Sequence, residues 1–507
     1  MENNIRFRNH VSVIFENSLK SIGTVIAIFF LNFISDVGEN GMNFADVAFL
    51  IGFLLAAIAL VVGVHAIIWS RTYITIEENT LVVERNTLNK KRNTIGLKTI
   101  SNVNLEQNLL EMILGTCKLK LDTNSLSTAD QTDVNIVLKK ADAEKFRLLV
   151  LAKAEGRDFT EEEAETDYQK DTNMQMDVSS DTQEVQAFYE EPNTIIGDLG
   201  EIVLHGLYSI RISTLLFFIA ILGVQIAMIV NMGIEGLGAN LGDMIASMFA
   251  IFWFGAIIIW SIIKEFVKYI GFRIQRKVDK VYLSYGLFKK VAYSVPVDKI
   301  NGIRLTQTWV ARLSKRYMVE IINVGMDDDE NETNTFFLPY SKLETIKAQL
   351  HTLLPEFDGA LEIKEEKQPK EIWLLSIPWL ILYVVVVAIG YVIVGTYLPE
   401  AELESAVLFA AAVILIWRTI MKFARFFTRG IKVDANFLKI VDGGFGKRTL
   451  FVKYDKIQYV TGKQCVIAKR FKMQKGTISL LASMKNRIHE LPYFKENDME
   501  QLKKKLV

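Results

Sequence analysis

Tyr285-Gly286-Leu287-Phe288-Lys289-Lys290-Val291-Ala292-Tyr293-Ser294-Val295-Pro296-Val297-Asp298-Lys299-Ile300-Asn301-Gly302-Ile303 is the stretch that decides the fold. It reads as an apolar β-strand that turns at Gly286, crosses two lysines and re-enters an apolar strand closed by Pro296. The stretch recurs. Setting Ile300 against Ile100 and Ile457 superposes three segments without a gap. Leu81, Val281 and Leu438 each stand 19 residues before that isoleucine, and Gln107, Gln307 and Gln464 each stand 7 after it. Self-similarity of this kind marks a repeat architecture, so the fold is read repeat by repeat.

The chain has 507 residues, half of them hydrophobic and 23% charged. Apolar membrane segments alternating with charged soluble units would give that mixture. The two cysteines, Cys117 and Cys465, fall at different places in their repeats, which supports neither a disulfide framework nor a metal cluster. The five histidines (His10, His65, His205, His351 and His489) lack metal-ligand spacing, so no metal and no cofactor is expected. A net charge of zero hides an asymmetry. Glu155–Glu191 holds 13 acidic and 2 basic residues, whereas Arg418–Val507 holds 21 basic and 7 acidic.

Apolar runs come in pairs: Leu19–Val37 with Val47–Trp69, Ile210–Val230 with Met244–Ile263, and Ile372–Val394 with Leu403–Ile420. About 20 apolar residues span a bilayer, so six spans in three membrane hairpins are expected. The first run follows Arg6 and Arg8 but has no small-residue cleavage site before Asp36, and reads as an uncleaved anchor. The hairpin tips carry only acidic charge, including Asp36, Glu235 and Glu400. The opposite ends carry Arg71, Lys264, Lys268, Arg273, Arg418, Lys422, Arg425 and Arg429. The positive-inside rule then places both termini and every soluble unit in the cytoplasm.

Each soluble unit opens on β-type alternation, as in Tyr73-Ile74-Thr75-Ile76. Each closes on a helix, expected over Ala141–Lys153, Ser341–Leu354 and Asn497–Val507. Ser341 with Glu344, and Asn497 with Glu500, have capping-box spacing. A small antiparallel barrel with one closing helix accounts for each unit. The acidic stretch between the first two units is too poor in apolar residues to offset its ordering entropy and reads as a disordered linker.

At Gly286-Leu287-Phe288-Lys289-Lys290 and Val295-Pro296-Val297-Asp298-Lys299-Ile300 the sequence resembles the bacterial pleckstrin-homology-like (PH-like) domains of the YdbT type. The first repeat departs from that pattern at Asn86, Gly96 and Thr99; the third keeps Gly443 and Lys456-Ile457 but has Lys453 for the proline. The resemblance implies a seven-stranded, helix-capped barrel after each hairpin, no catalytic residues, and an association with envelope defence against antimicrobial peptides. It also implies a second membrane protein as partner, a smaller single-hairpin PH-like relative. The expected fold is therefore an α+β membrane protein. Hairpins occupy 1–71, 198–268 and 371–429, PH-like domains 72–154, 269–357 and 430–507, and linkers 155–197 and 358–370.

Basic turn residues recur at Lys90-Lys91-Arg92, Lys289-Lys290 and Lys447-Arg448. Such residues hold headgroups in eukaryotic PH domains; as a plain solvated turn they would still attract an anionic leaflet at about 1 kcal/mol per charge. Arg418, Lys422, Arg425 and Arg429 are spaced 4, 3 and 4, one stripe on a helix continuing the sixth span, with Phe423, Phe426 and Phe427 interleaved. That pattern reads as an interfacial, anionic-lipid-facing segment rather than a nucleic-acid site. Gly443-Gly444-Phe445-Gly446-Lys447-Arg448-Thr449 fails the phosphate-loop pattern, with Val441 at the first glycine and Arg448 at the Ser/Thr position, and reads as a hairpin turn. His65 sits inside the second span near Trp69 and reads as a satisfied side chain. No Ser/His/Asp or Cys/His set is apparent, so no enzyme is expected. The function expected is a scaffold in the bacterial cell membrane, whose three modules bind a partner protein or the anionic inner leaflet. A six-span transporter or exporter component is the alternative.

Overall fold

Three positions show how the repeat dictates local structure. The glutamine 7 residues past the aligned isoleucine makes the same hydrogen bond each time: Gln107 Nε2 donates to Thr116 O at 2.7 Å, Gln307 to Arg316 O at 2.9 Å, and Gln464 to Met473 O at 3.0 Å. The next residue caps a short helix: Asn108 for Leu109–Leu114, Thr308 for Trp309–Leu313, Cys465 for Val466–Arg470. The turn after that helix is left-handed in every repeat, at Gly115 (φ 64°), Lys315 (φ 52°) and Lys472 (φ 52°). Losing the glutamine amide strands a carbonyl, a cost of about 1–3 kcal/mol. Gln307→Leu is therefore expected to lower the thermal unfolding midpoint of the full chain in detergent, and Gln107→Leu and Gln464→Leu to do the same. A neutral variant among the three would break the equivalence.

The computed structural model describes residues 5–40, 44–77, 79–87, 89–123, 135–154, 194–220, 222–223, 226, 241–323, 335–397, 403–482 and 484–506. The acidic linker up to residue 193, and the hairpin tips at 41–43, 231–240 and 398–402, lie outside the described residues. Each repeat supplies seven strands. The first has β1 (Ile5–Phe7), β2 (Thr72–Glu77), β3 (Thr80–Asn86), β4 (Lys90–Gly96), β5 (Ile100–Gln107), β6 (Thr116–Thr123) and β7 (Asn135–Lys139). The second has β8 (Thr194–Ile196), β9 (Arg273–Lys277), β10 (Lys280–Tyr285), β11 (Lys290–Pro296), β12 (Ile300–Gln307), β13 (Arg316–Asn323) and β14 (Phe336–Lys342). The third has β15 (Glu366–Lys367), β16 (Gly430–Val433), β17 (Phe437–Gly443), β18 (Lys447–Lys453), β19 (Ile457–Lys463), β20 (Met473–Leu480) and β21 (Ile488–Lys495).

The first strand of each repeat precedes that repeat's long helical segment and pairs with the strand that follows it: Ile5 with Ile76, Thr194 with Gln275, Glu366 with Ile431. Each helical segment is thus an insertion into a β-meander. Gly286 (φ 112°) and Gly443 (φ 149°) set the expected turns; a Cβ on Gly286 would lie 1.8 Å from Lys289 O, and one on Gly443 2.2 Å from Gly446 O. Pro296 ends β11 as expected. The Gly443–Gly446 segment is the turn joining β17 to β18, with Gly444 N donating to Gly446 O.

The chain divides into two compact units, Met1–Pro192 with Tyr282–Ser294, and Asn193–Val281 with Val295–Val507. In the first unit the four strands β1-β2-β3-β4 and the strands β5-β6-β7 share one apolar core. Ile74, Ile76, Leu81 and Ile95 pack with Val103, Leu105, Leu119, Ile136 and, from the closing helix Lys140–Ala154, Phe146 and Val150. In the second unit Leu438, Ile440, Leu450 and Val452 pack likewise with Ile478, Leu480, Leu491, Phe494 and, from the helix Glu496–Leu506, Met499 and Leu502.

The sheets nevertheless run past the repeat borders, which the sequence reading of one barrel per repeat did not anticipate. In the first unit β5 pairs with β11 of the second repeat, Gln107 against Lys290. In the second unit β12 pairs with β18 of the third over six residue pairs, from Gly302–Val452 to Gln307–Lys447. Gly302 makes this approach possible, because a Cβ there would lie 2.7 Å from Phe451 O.

Two capping expectations fail for one reason, strand length. The register Tyr317–Ser341 and Arg316–Lys342 carries β14 through Ser341, which is buried, so the Leu343–Leu353 helix is capped at Lys342 without a side-chain bond. Likewise β21 runs to Lys495 and its helix starts at Glu496, which puts Asn497 inside the first turn. A complete capping box occurs instead at Asn108 and Glu111.

Four helices are long and apolar enough to cross a membrane, over Ser12–Phe29, Ile51–Ser70, Lys370–Thr396 and Val407–Thr428. A fifth is added if Leu199–Tyr208 and Ile212–Ala220, bent by 57°, count as one span. The described residues thus hold four or five candidate spans of a multi-pass membrane protein, and the expected arrangement of six spans in three hairpins extends into residues outside them. Of the span expected at 210–230, residues 221, 224–225 and 227–230 lie outside the described residues. The Leu199–Tyr208 helix that precedes it packs on protein, with Ile202 and His205 buried and His205 Nδ1 accepting from Tyr340 N at 3.2 Å. The segment expected at 244–263 lies within the Leu241–Tyr269 helix.

Candidate functional site

The third hairpin carries the stripe Arg418, Lys422, Arg425 and Arg429. The Leu403–Thr428 helix holds the first three on one face, and Arg429 follows directly before β16. Opposite runs the 3₁₀ segment Lys370–Ser376, which leads into the Ile377–Tyr397 helix. Between them lies a groove of about 780 Å³, lined by all four cations together with Trp373, Trp379, Trp417 and Phe426.

Aromatic rings orient the charges. Arg418 lies 4.4 Å from the Trp379 ring centre, and Lys422 5.0 Å from that of Trp373. Trp373 in turn packs 5.5 Å from Phe426. Cation–π contact holds each long side chain over an apolar wall while leaving its charge available. Arg429 is spent on structure: its Nε donates to Asp442 Oδ1 at 2.6 Å. Gln368 and Ser376 also line the groove, and Gln368 Nε2 and Ser376 Oγ are buried with no protein partner. Buried polar atoms without partners are few in native proteins.

The second repeat braces the groove's base. Arg312 Nη1 donates to Thr428 Oγ1 at 3.1 Å and to Gly444 O at 3.0 Å. The stripe and its interfacial character follow from the spacing of the cations. The tryptophans and Gln368 do not, although tryptophans at a span's end are the usual membrane-interface signal and Trp373 and Trp379 stand there.

The turn residues go elsewhere. Lys289 Nζ is 3.3 Å from Glu106 Oε2, and Lys290 sits in the ladder opposite Gln107. Lys447 Nζ donates to Glu365 Oε1 at 2.8 Å, and Lys439 Nζ to Glu365 Oε2 at 2.7 Å. Burial pushes the Glu365 carboxyl up, but the hydrogen bonds from Lys439 and Lys447 outweigh it and hold it down at about 2. Arg448 is exposed in β18 opposite Thr306 and Asp442. Arg92 lies 3.4 Å from both Glu77 and Glu84. These positions do not converge on one pocket. His65 Nε2 is 3.4 Å from Ser21 Oγ, and no group of three potential metal ligands occurs among the described residues.

The bacterial PH domain family matches three segments, residues 26–154, 207–354 and 374–506, together well over half of the chain. The chain belongs to the bacterial PH domain family. Each match begins within or beside a hairpin and ends in a closing helix, so in these bacterial PH repeats the membrane segment and the module count as one unit. The chain is also distantly similar to the UPF0699 transmembrane protein YdbT of Bacillus subtilis (strain 168), 27% identical over 101 residues. That match spans 20% of this chain and 20% of the relative. No solved structure matches it.

Proposed function

We propose that this bacterial PH domain protein is a non-enzymatic, membrane-anchored scaffold whose third hairpin holds an anionic phospholipid of the cytoplasmic leaflet, and whose modules present a surface to a second membrane protein. The observation that carries the reading is the groove, where Arg418, Lys422 and Arg425 meet three tryptophans and two unpartnered buried polar groups. A phosphodiester would take the cations and the Gln368 amide, and the upper acyl chain would take the tryptophan walls. A role in envelope stress or protection from antimicrobial peptides fits a scaffold that senses anionic lipid.

The test is lipid retention by the full chain in nanodiscs of phosphatidylglycerol and phosphatidylcholine. Mass spectrometry of the released protein should show phosphatidylglycerol bound preferentially, and Arg418→Gln with Lys422→Gln and Arg425→Gln should cut that retention at least tenfold. Equal retention would remove the lipid site. Orientation has its own readout. Single cysteines at Gly41, Gly238 and Thr396, in a Cys117→Ser, Cys465→Ser background, should react with an impermeant thiol reagent on intact cells, and cysteines at Ser127 or Ser483 should not. The reverse pattern refutes cytoplasmic modules.

A further inference from the structure

Among the described residues, two strands lack a neighbour that their counterparts have. β5 and β11 pair, and β12 and β18 pair, each seam joining the fifth strand of one repeat to the fourth of the next. The fourth strand of the first repeat, β4, ends its sheet, and so does the fifth strand of the third repeat, β19. The environments differ accordingly. The paired β11 is buried from Val291 to Val295, and β18 from Thr449 to Val452, but β4 exposes Lys90, Lys91, Arg92 and Thr94, and β19 exposes Gln458, Tyr459 and Thr461 to Lys463. Exposed edge backbone is a template for another strand.

Charge selects the occupant. Carried over by repeat position, the seam pair Thr306–Arg448 becomes Lys463 against Lys91. A second copy of this chain would therefore set two lysines directly opposite, a destabilising cross-strand pair. In the first seam the same position is Glu106, which meets Lys289 at 3.3 Å. The ladder partner of Glu106 is Val291, and its carboxylate reaches diagonally to Lys289, so this seam sets an acid on the fifth strand near a base beside the fourth. We infer that β4 and β19 are docking edges for a second protein that carries a module of the same type, with carboxylates on its own edge strands. This builds on the scaffold reading but not on the lipid groove.

The test places a photo-crosslinking amino acid at Thr94 or Thr461 of the full chain in its native membrane, with the 84% exposed Val278 as control. Adducts to one second protein are expected from both edges, mapping to a carboxylate-bearing strand, and none from Val278. Lys90→Glu with Lys91→Glu and Arg92→Glu should lower the Thr94 yield at least tenfold, while the Arg418, Lys422 and Arg425 variant should leave it unchanged. Adducts only to this chain or to lipid, no adducts, or indifference to charge reversal would overturn the proposal. Register has a separate check in purified full chain. Lys463→Glu should convert the edges into a complementary pair and strengthen self-association at least tenfold by light scattering, and adding Lys91→Glu should reverse it. Wild-type behaviour of Lys463→Glu would overturn the register.

Discussion

Replacing Gly302 with valine is expected to destabilise the second unit by at least about 3 kcal/mol, although valine is the better strand former. Its Cβ would meet the backbone oxygen of Phe451 at 2.7 Å, and a backbone atom cannot swing aside as a flexible side chain can. The strand has to retreat, and with it the six-residue pairing of β12 with β18. The counterparts Asn102 and Tyr459 already carry side chains, so the repeat itself does not demand glycine there. The signature is therefore separation of the repeats: new protease cleavage around 358–370 together with a lower thermal midpoint. A loss below about 1 kcal/mol would mean that the seam contributes little.

Glu365→Gln is expected to cost about 3 kcal/mol, because it leaves the Lys439 ammonium, whose side chain is only 8% exposed, without its counter-charge. Ile363 O would remain as a partner, but a carbonyl does not neutralise an ammonium. The same site sets an acid limit. Since the folded carboxyl sits at about 2, below its ordinary 4.5, the unfolded chain binds more protons between those values. The contribution is complete above about pH 4.5 and drains away as pH falls toward 2. It amounts to about 1–2 kcal/mol once solvent screening of the partly exposed group is allowed for. The gap between the thermal midpoints of wild type and Glu365→Gln should accordingly narrow as pH falls from 4.5 toward 2. A constant gap would place the stabilisation elsewhere.

Much of this was legible from residues alone. The spacing of Leu81, Ile100 and Gln107 gave the repeat, Gly286 and Gly443 the turns, and the 4, 3, 4 spacing of cations the stripe. Seam pairing was not legible, because β12 has the same pattern whichever strand lies beside it; a ladder leaves no period in sequence. Nor were β8 and β15, two or three residues long and set among linker residues, since strand signals need runs of four or more. Ser341 misled because capping-box spacing does not reveal that a strand still continues through the residue. At the groove, the cations and the interleaved Phe423, Phe426 and Phe427 suggested an interface. The tryptophans that orient them came from the far side of the hairpin, a proximity only the fold supplies.

The insertion of the third hairpin, with its two candidate spans, between the first and second strands of its module bears on synthesis. Glu366 leaves the ribosome 65 residues before its partner Ile431, and the whole third hairpin lies between them. Closing that loop in water would carry two apolar helices along, so β15 and β16 should meet only after the bilayer has accepted the hairpin. Module completion then reports on insertion. A chain whose hairpin stalls keeps one edge of β16 unpaired and is exposed to proteases, which couples quality control of the module to the state of its anchor. Protease resistance of the 430–507 region in nascent chains should appear only once membranes are present during translation; resistance without membranes would contradict this order.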